Sequence, residues 1–432
     1  MPYKGEYMKK ALFDTLETKL ENGLTLISIK KDTQIASLHV GIGIGGMYES
    51  TKERGISHFI EHMVFKGTKD RSNEKLNSDL ESLGGEYNAY TDYTCTVFNT
   101  TTLNEELPNS IELLGDLVTN SIFPEDELEK ERGVILAEIR SSKDDIEDIT
   151  FQIVNDFAFE KSPLKCDVIG KESIVKKLTK NQLIDFYTKY YVPNNAFITV
   201  VSCFEHEEVL DMVKKHFGKW QCKEFNKPKV ITEKNKHKFK ITNKKDIEQS
   251  TIVYLYSLIG LSKEEELALR ILNHKFGEST NSILFRELRE ERGLAYDVYT
   301  MLDLTDNIKT LYIYTSVSSE NVDEAINVVD TCIQNIKEEK IVFDDNTIKT
   351  MKKVFKTAIA STVEDSTDLG NYAIHQAMEE EYIYQFTEDM KNMDNINSHH
   401  LYEVARKVLN KPTIHVLLSQ KGEEFEEDYY EN

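Results

Sequence analysis

Residues 55–68 read Gly-Ile-Ser-His-Phe-Ile-Glu-His-Met-Val-Phe-Lys-Gly-Thr. The pattern predicts a helix over 55–65. On a helix, His58 and His62 are one turn apart on one face, and two imidazoles at that spacing can reach one zinc ion. Glu61 is three residues after His58 and shares that face, beside the metal position, where a general base for water must stand. Phe59, Ile60, Met63 and Val64 are apolar and suit a buried helix. The alternative reading is a buried helix with incidental histidines. A catalytic zinc ion needs three protein ligands and an open position, so a third ligand must come from elsewhere in the chain.

Outward from this stretch, strands and helices mix. Apolar runs at 24–29, 37–44 and 196–204 read as strands, and residues 102–120 and 124–142 read as helices, the latter with acidic residues in its first turn. This is an α+β pattern. The two halves resemble each other weakly: 34–46 has a counterpart in 248–261, 87–101 in 296–312, and 123–139 in 343–359. A repeat of that length suggests two copies of one domain. The expected division is a first domain over 10–222, a Lys- and Asn-rich linker over 223–245, a second domain over 246–421 and an acidic tail over 422–432. Aligning the halves puts Leu269, Leu272 and Asn273 where His58, Glu61 and His62 stand, and Met351 and Ala358 where Glu131 and Glu138 stand. The second copy is therefore expected to be metal-free.

Composition narrows the class. The 432 residues are 40% hydrophobic, with 20 Phe and 21 Tyr, enough to build real cores. A net charge of −22 repels phosphate backbones and argues against a nucleic-acid partner. It could attract cationic peptides, or serve solubility alone. Cys95, Cys166, Cys203, Cys222 and Cys332 are odd in number and form no CxxC pair. They read as free thiols of a reducing compartment. The N-terminal stretch lacks the apolar core of a signal peptide, and no run approaches the ~18 apolar residues that cross a bilayer. The expectation is a cytoplasmic protein with no membrane association.

The H-x-x-E-H order marks the inverzincins. Residues 55–68 look like the pitrilysin, insulysin and mitochondrial processing peptidase family. The resemblance implies a third zinc ligand, a Glu on a later helix, which here is Glu138, 76 positions past His62. Residues 131–139, Glu-Arg-Gly-Val-Ile-Leu-Ala-Glu-Ile, are similar to the family's pattern around that ligand. Glu131, two helical turns before Glu138, takes the position that in the family supports the site without binding metal. The resemblance covers the chain from about residue 12 to 422 and is most specific in these two segments.

It also implies a substrate site and an assembly. Residues 86–91, Glu-Tyr-Asn-Ala-Tyr-Thr, resemble the family's edge strand, which adds the substrate peptide as an extra strand; Asn88, Ala89 and Tyr90 would face the scissile region. Where relatives often carry a Glu shortly after, this chain has Thr94. Residues 288–296 match the Arg/Tyr element, so Arg289 and Tyr296 would donate hydrogen bonds to substrate carbonyls and the oxyanion. Arg289 read alone is an ordinary charged helix end. The implied protein is a zinc metalloendopeptidase with one Zn2+ per chain. Its two homologous domains would each be a mostly antiparallel sheet with helices on one side. Two such chains, a homodimer or a heterodimer with a paralogue, would form a chamber for peptides and unfolded segments. Two other readings stay open: a peptidase dedicated to removing one leader peptide, and a non-catalytic partner subunit, although no ligand or base is missing.

Overall fold

The computed structural model describes residues 13–420; the expected acidic tail at 422–432 and the first three residues of the expected first domain lie outside them. The chain forms two compact units. The first comprises Met1–Ser141, Cys166–Val230 and Lys356–Lys391; the second comprises Ser142–Lys165, Ile231–Phe355 and Asn392–Asn432.

The first unit is built on six strands: β1 (Asp14–Lys19), β2 (Thr25–Lys30), β3 (Ile35–Ile42), β4 (Glu86–Thr91), β5 (Thr96–Leu103) and β6 (Ala196–Ser202). Their order is β1-β2-β6-β3-β5-β4. All neighbours are antiparallel except the parallel pair β2 and β6. The second unit has β7 (Lys238–Lys245), β8 (Ser250–Ser257), β9 (Ala295–Asp303), β10 (Thr310–Val317) and β11 (Thr413–Gln420), in the order β7-β11-β8-β10-β9. Its one parallel pair is β7 and β11. Strands β2-β6-β3-β5-β4 and β7-β11-β8-β10-β9 thus share one topology, and β1 is the addition. The architecture is α+β with two homologous halves.

Three details differ from the sequence reading. Residues 238–245 of the expected linker form β7, which pairs in parallel with β11 along its whole length despite its polar composition. The helix expected from residue 102 begins at Leu107, with Pro108 in its first turn, because Thr100, Thr101 and Thr102 belong to β5. Their β-branched side chains favour the pleated strand.

The third concerns the helical layers. The large cluster under the first sheet draws on helices Ile56–Val64, Leu107–Asn120, Glu125–Ser142 and His206–Phe217. The other face of that sheet also carries a helix, Ser366–Met378, whose Leu369, Ala373 and Ile374 meet residues of β2, β5 and β6. In the second unit, helix Ile146–Ala158 likewise packs on β8 and β11, opposite the main helical layer. Among the described residues, each sheet therefore carries helical packing on the face expected to be bare.

Candidate metal centre

The motif helix spans Ile56–Val64. It starts at Gly55, whose φ of 93° lies in the left-handed region and where a Cβ would come within 2.6 Å of the Ile169 carbonyl oxygen. Only glycine suits both conditions. The first turn is capped from a distance: Glu49 accepts hydrogen bonds from the backbone N–H groups of Gly55 and Ser57, each at 2.8 Å. Ile56, Phe59, Ile60, Met63 and Val64 are fully buried. Burial of such side chains contributes roughly 1.5–3 kcal/mol each, as an upper bound. That stabilisation offsets the cost of holding His58, Glu61 and His62, half-buried, on the remaining stripe of the same helix.

One ligand atom from each of His58, His62 and Glu138 lies within 4.8 Å of the others. His62 Nε2 stands 3.6 Å from Glu138 Oε2, a separation that two ligands of a tetrahedral ion can span. Glu138 comes from helix Glu125–Ser142, where Glu131 sits two turns earlier on the same face. The Glu131 Oε2 atom hydrogen-bonds His62 Nδ1 at 3.0 Å, and its Oε1 meets Lys66 Nζ at 2.8 Å. This pairing turns the Nε2 atom of His62 toward Glu138. Glu61 lies beside the donors, its Oε2 bonded at 2.6 Å by the hydroxyl of Thr91 from β4.

Protonation follows the surroundings. Burial pushes His58 down to about 4, with the neighbouring His62 acting the same way, so its imidazole is neutral, as a metal ligand must be. Burial also opposes charge on His62, but the Glu131 hydrogen bond and the carboxylates of Glu138 and Glu61 outweigh it and raise its pKa. Glu61 is raised by burial, against the Thr91 hydrogen bond. Glu131 resists burial through His62 and Lys66 and falls below its ordinary value.

Two atoms test whether the donor set suits a cation. His58 Nδ1 and Glu138 Oε2 are buried without a hydrogen-bond partner. A cation among these donors would give the Glu138 oxygen a partner.

A second group of metal-competent side chains, Asp92, Cys95 and His375, behaves differently. Asp92 Oδ1 accepts from the Thr94 and Cys95 backbones and the Thr94 hydroxyl, and Asp92 Oδ2 from the Cys95 thiol at 3.5 Å. His375 Nε2 hydrogen-bonds the Tyr90 hydroxyl. Burial holds the Cys95 thiol well above its ordinary pKa. This cluster is satisfied internally. It also accounts for Thr94, whose role here is to close the turn between β4 and β5.

Strand β4 ends the first sheet and pairs only with β5 among the described residues. Its side chains alternate between faces. Tyr87 lies near Phe65 and Ala89 packs into the cluster under the motif helix, as Thr91 reaches Glu61. Tyr90 points the other way, and its hydroxyl donates to Asn371 Oδ1 on helix Ser366–Met378. Asn88 is exposed.

Arg289 and Tyr296 belong to the second unit. Arg289 is exposed, its guanidinium 5.2 Å from the Phe285 ring centroid. Tyr296, the second residue of β9, is 58% exposed. At the positions aligned with the motif, Leu269 and Leu272 lie in the second unit's core and Asn273 is buried.

Three residues of the site were not singled out in the sequence. Lys66 was legible, because it follows His62 by one helical turn. Thr91 could have been found from strand alternation with Ala89. No local pattern links Glu49 to the helix it caps.

The family model described as insulinase (peptidase family M16) matches residues 25–172, and that described as peptidase M16 inactive domain matches 177–354. A Rickettsia bellii protein named "Uncharacterized zinc protease" is 28% identical over 83% of this chain and 87% of its own length. The human mitochondrial-processing peptidase subunit beta is 34% identical over 48% of this chain and 43% of its own length. The crystal structure of a protease from Helicobacter pylori superposes with a TM-score of 0.87 at 20% identity, covering 94% of this chain and 99% of that one; at that identity it speaks to the fold alone.

Proposed function

The chain belongs to the insulinase family of peptidases, M16, and from that membership we propose that it is a zinc-dependent metalloendopeptidase. It binds one zinc ion per chain through His58, His62 and Glu138 and uses Glu61 as general base. The observation that carries this reading is the convergence of those three donors within 4.8 Å, beside a carboxylate that is not among them.

Bound zinc supplies a Lewis acid that polarises water and the scissile carbonyl. The chain's own groups do the rest. Glu131, backed by Lys66, fixes the orientation of His62. Glu61 takes a proton from the attacking water and returns it to the leaving amine. The free edge of β4 accepts a peptide backbone as an additional strand, which reads main chain and tolerates varied sequences. Substrates are peptides and unfolded segments. Two chains, identical or paralogous, pair to enclose a chamber. Arg289 and Tyr296, both exposed, bind the substrate carbonyl and oxyanion in the partner's site.

The test is metal content and hydrolysis together. Purified wild-type protein should carry one zinc ion and cut unstructured peptides. Glu61→Gln should keep the zinc and lose turnover by about 10²–10⁴-fold. Stoichiometric zinc in His62→Ala, or turnover in Glu61→Gln within tenfold of wild type, would refute the assignment.

A further inference from the structure

We infer that Thr91 is a positioning residue for the general base, so that the strand receiving the peptide also aims the carboxylate that activates water. The inference rests on the reading of Glu61 as base. The Thr91 hydroxyl donates to Glu61 Oε2 at 2.6 Å, within the range of a charge-assisted bond to an ionised carboxylate. Its alternative acceptor, Thr96 Oγ1, is 3.4 Å away, and the Thr96 hydroxyl itself donates to the Ile44 carbonyl at 3.0 Å. The single Thr91 proton therefore goes to Glu61.

Backbone pairing fixes where Thr91 stands. Thr91 and Thr96 form the last register pair of β4 and β5. Threonine's branched Cβ restricts its rotamer further. Glu61 has a longer, freer side chain that loses conformational freedom when ordered. Tying Oε2 leaves Oε1 to meet the water. Ala89 and Thr91 share the face turned to the motif helix, on a strand whose other edge is unpaired among the described residues. A peptide in register with β4 is thus in register with the base.

Thr91→Val keeps shape and removes the donor; Thr91→Ser keeps the donor. In the zinc-loaded protein, Thr91→Val should lower kcat about 10–100-fold, the loss expected of a hydrogen bond to a charged group. KM and zinc content should stay at wild-type values, and Thr91→Ser should recover most of kcat. A second readout needs no turnover: the carboxyl 13C resonance of Glu61, assigned by its loss in Glu61→Gln, should move in Thr91→Val and return in Thr91→Ser. Turnover surviving in Glu61→Gln overturns the base reading and this inference with it. Turnover lost in Glu61→Gln but unchanged in Thr91→Val, or a Glu61 resonance that does not move, overturns the inference alone.

Discussion

His62 Nδ1 and Glu131 Oε2 are 3.0 Å apart, and the other Glu131 oxygen is held by Lys66 at 2.8 Å. The contact joins two helices that supply the candidate metal ligands. It also assigns each imidazole nitrogen a task, because Nδ1 faces a carboxylate and Nε2 faces Glu138 at 3.6 Å. Removing the carboxylate with Glu131→Ala should weaken zinc binding about 10–100-fold, the usual cost of losing the group that orients a ligand. Competition with a chelator of known affinity measures it. Lys66→Met should move affinity in the same direction by less, since Glu131 keeps its bond to His62. An unchanged zinc affinity in Glu131→Ala would mean that the contact does not support the site.

Glu49 should make stability pH-dependent in a defined window. Its carboxyl is buried, seven residues before the motif helix begins at Ile56. Burial raises it from 4.5 to about 7, against the two backbone hydrogen bonds it accepts. A raised folded-state pKa means the folded protein binds this proton more tightly than the unfolded chain. The associated stability is present below pH 4.5 and is lost as pH rises through about 7. Glu49→Gln cannot ionise. Across that window the wild type should lose roughly 3 kcal/mol relative to the variant, and the difference should level off above it. Denaturant titrations at a series of pH values give the comparison; parallel curves would show that Glu49 has the same pKa in the folded and unfolded chain.

The net charge of −22 should favour basic peptides. Rates on acidic and basic unstructured peptides of equal length, at low and high salt, provide the measurement. Screening shortens the reach of surface charge to about 10 Å at 0.1 M salt, so any preference should shrink as salt rises. Equal rates at every ionic strength would leave the acidic surface with no part in substrate capture. Folded proteins should resist cleavage throughout, because pairing with β4 requires an extended backbone.

Sharing of active sites between two chains predicts complementation. Glu61→Gln should be inactive, and an Arg289→Ala/Tyr296→Phe double variant nearly so. Subunit exchange between the two creates hybrids. In each two-fold symmetric hybrid, one site would combine an intact motif with an intact Arg/Tyr element, and activity should return. If both elements serve the same chain, every site stays defective and the mixture remains inactive. A monomer fully active at assay concentration would also exclude the shared site.

Some of this protein is written in local sequence and some is not. The 3.6-residue period alone puts His58, Glu61 and His62 on one stripe, and the same period puts Glu131 and Glu138 on another. The apolar runs at 24–29, 37–44 and 196–204 likewise mark β2, β3 and β6. These features depend on backbone geometry over a few residues, so the chain carries them before any packing occurs. Glu138 was located by its resemblance to a family pattern, because nothing local says which of many helical carboxylates faces the histidines. The meeting of the two stripes, the reach of Thr91 across to Glu61 and the distant cap from Glu49 are decided by tertiary structure. So is the assignment of residues 142–165 to the second unit and 356–391 to the first. In each of these cases the partners are far apart in sequence or belong to different elements, and burial of apolar faces, which carries no residue-by-residue address, is what brings them together.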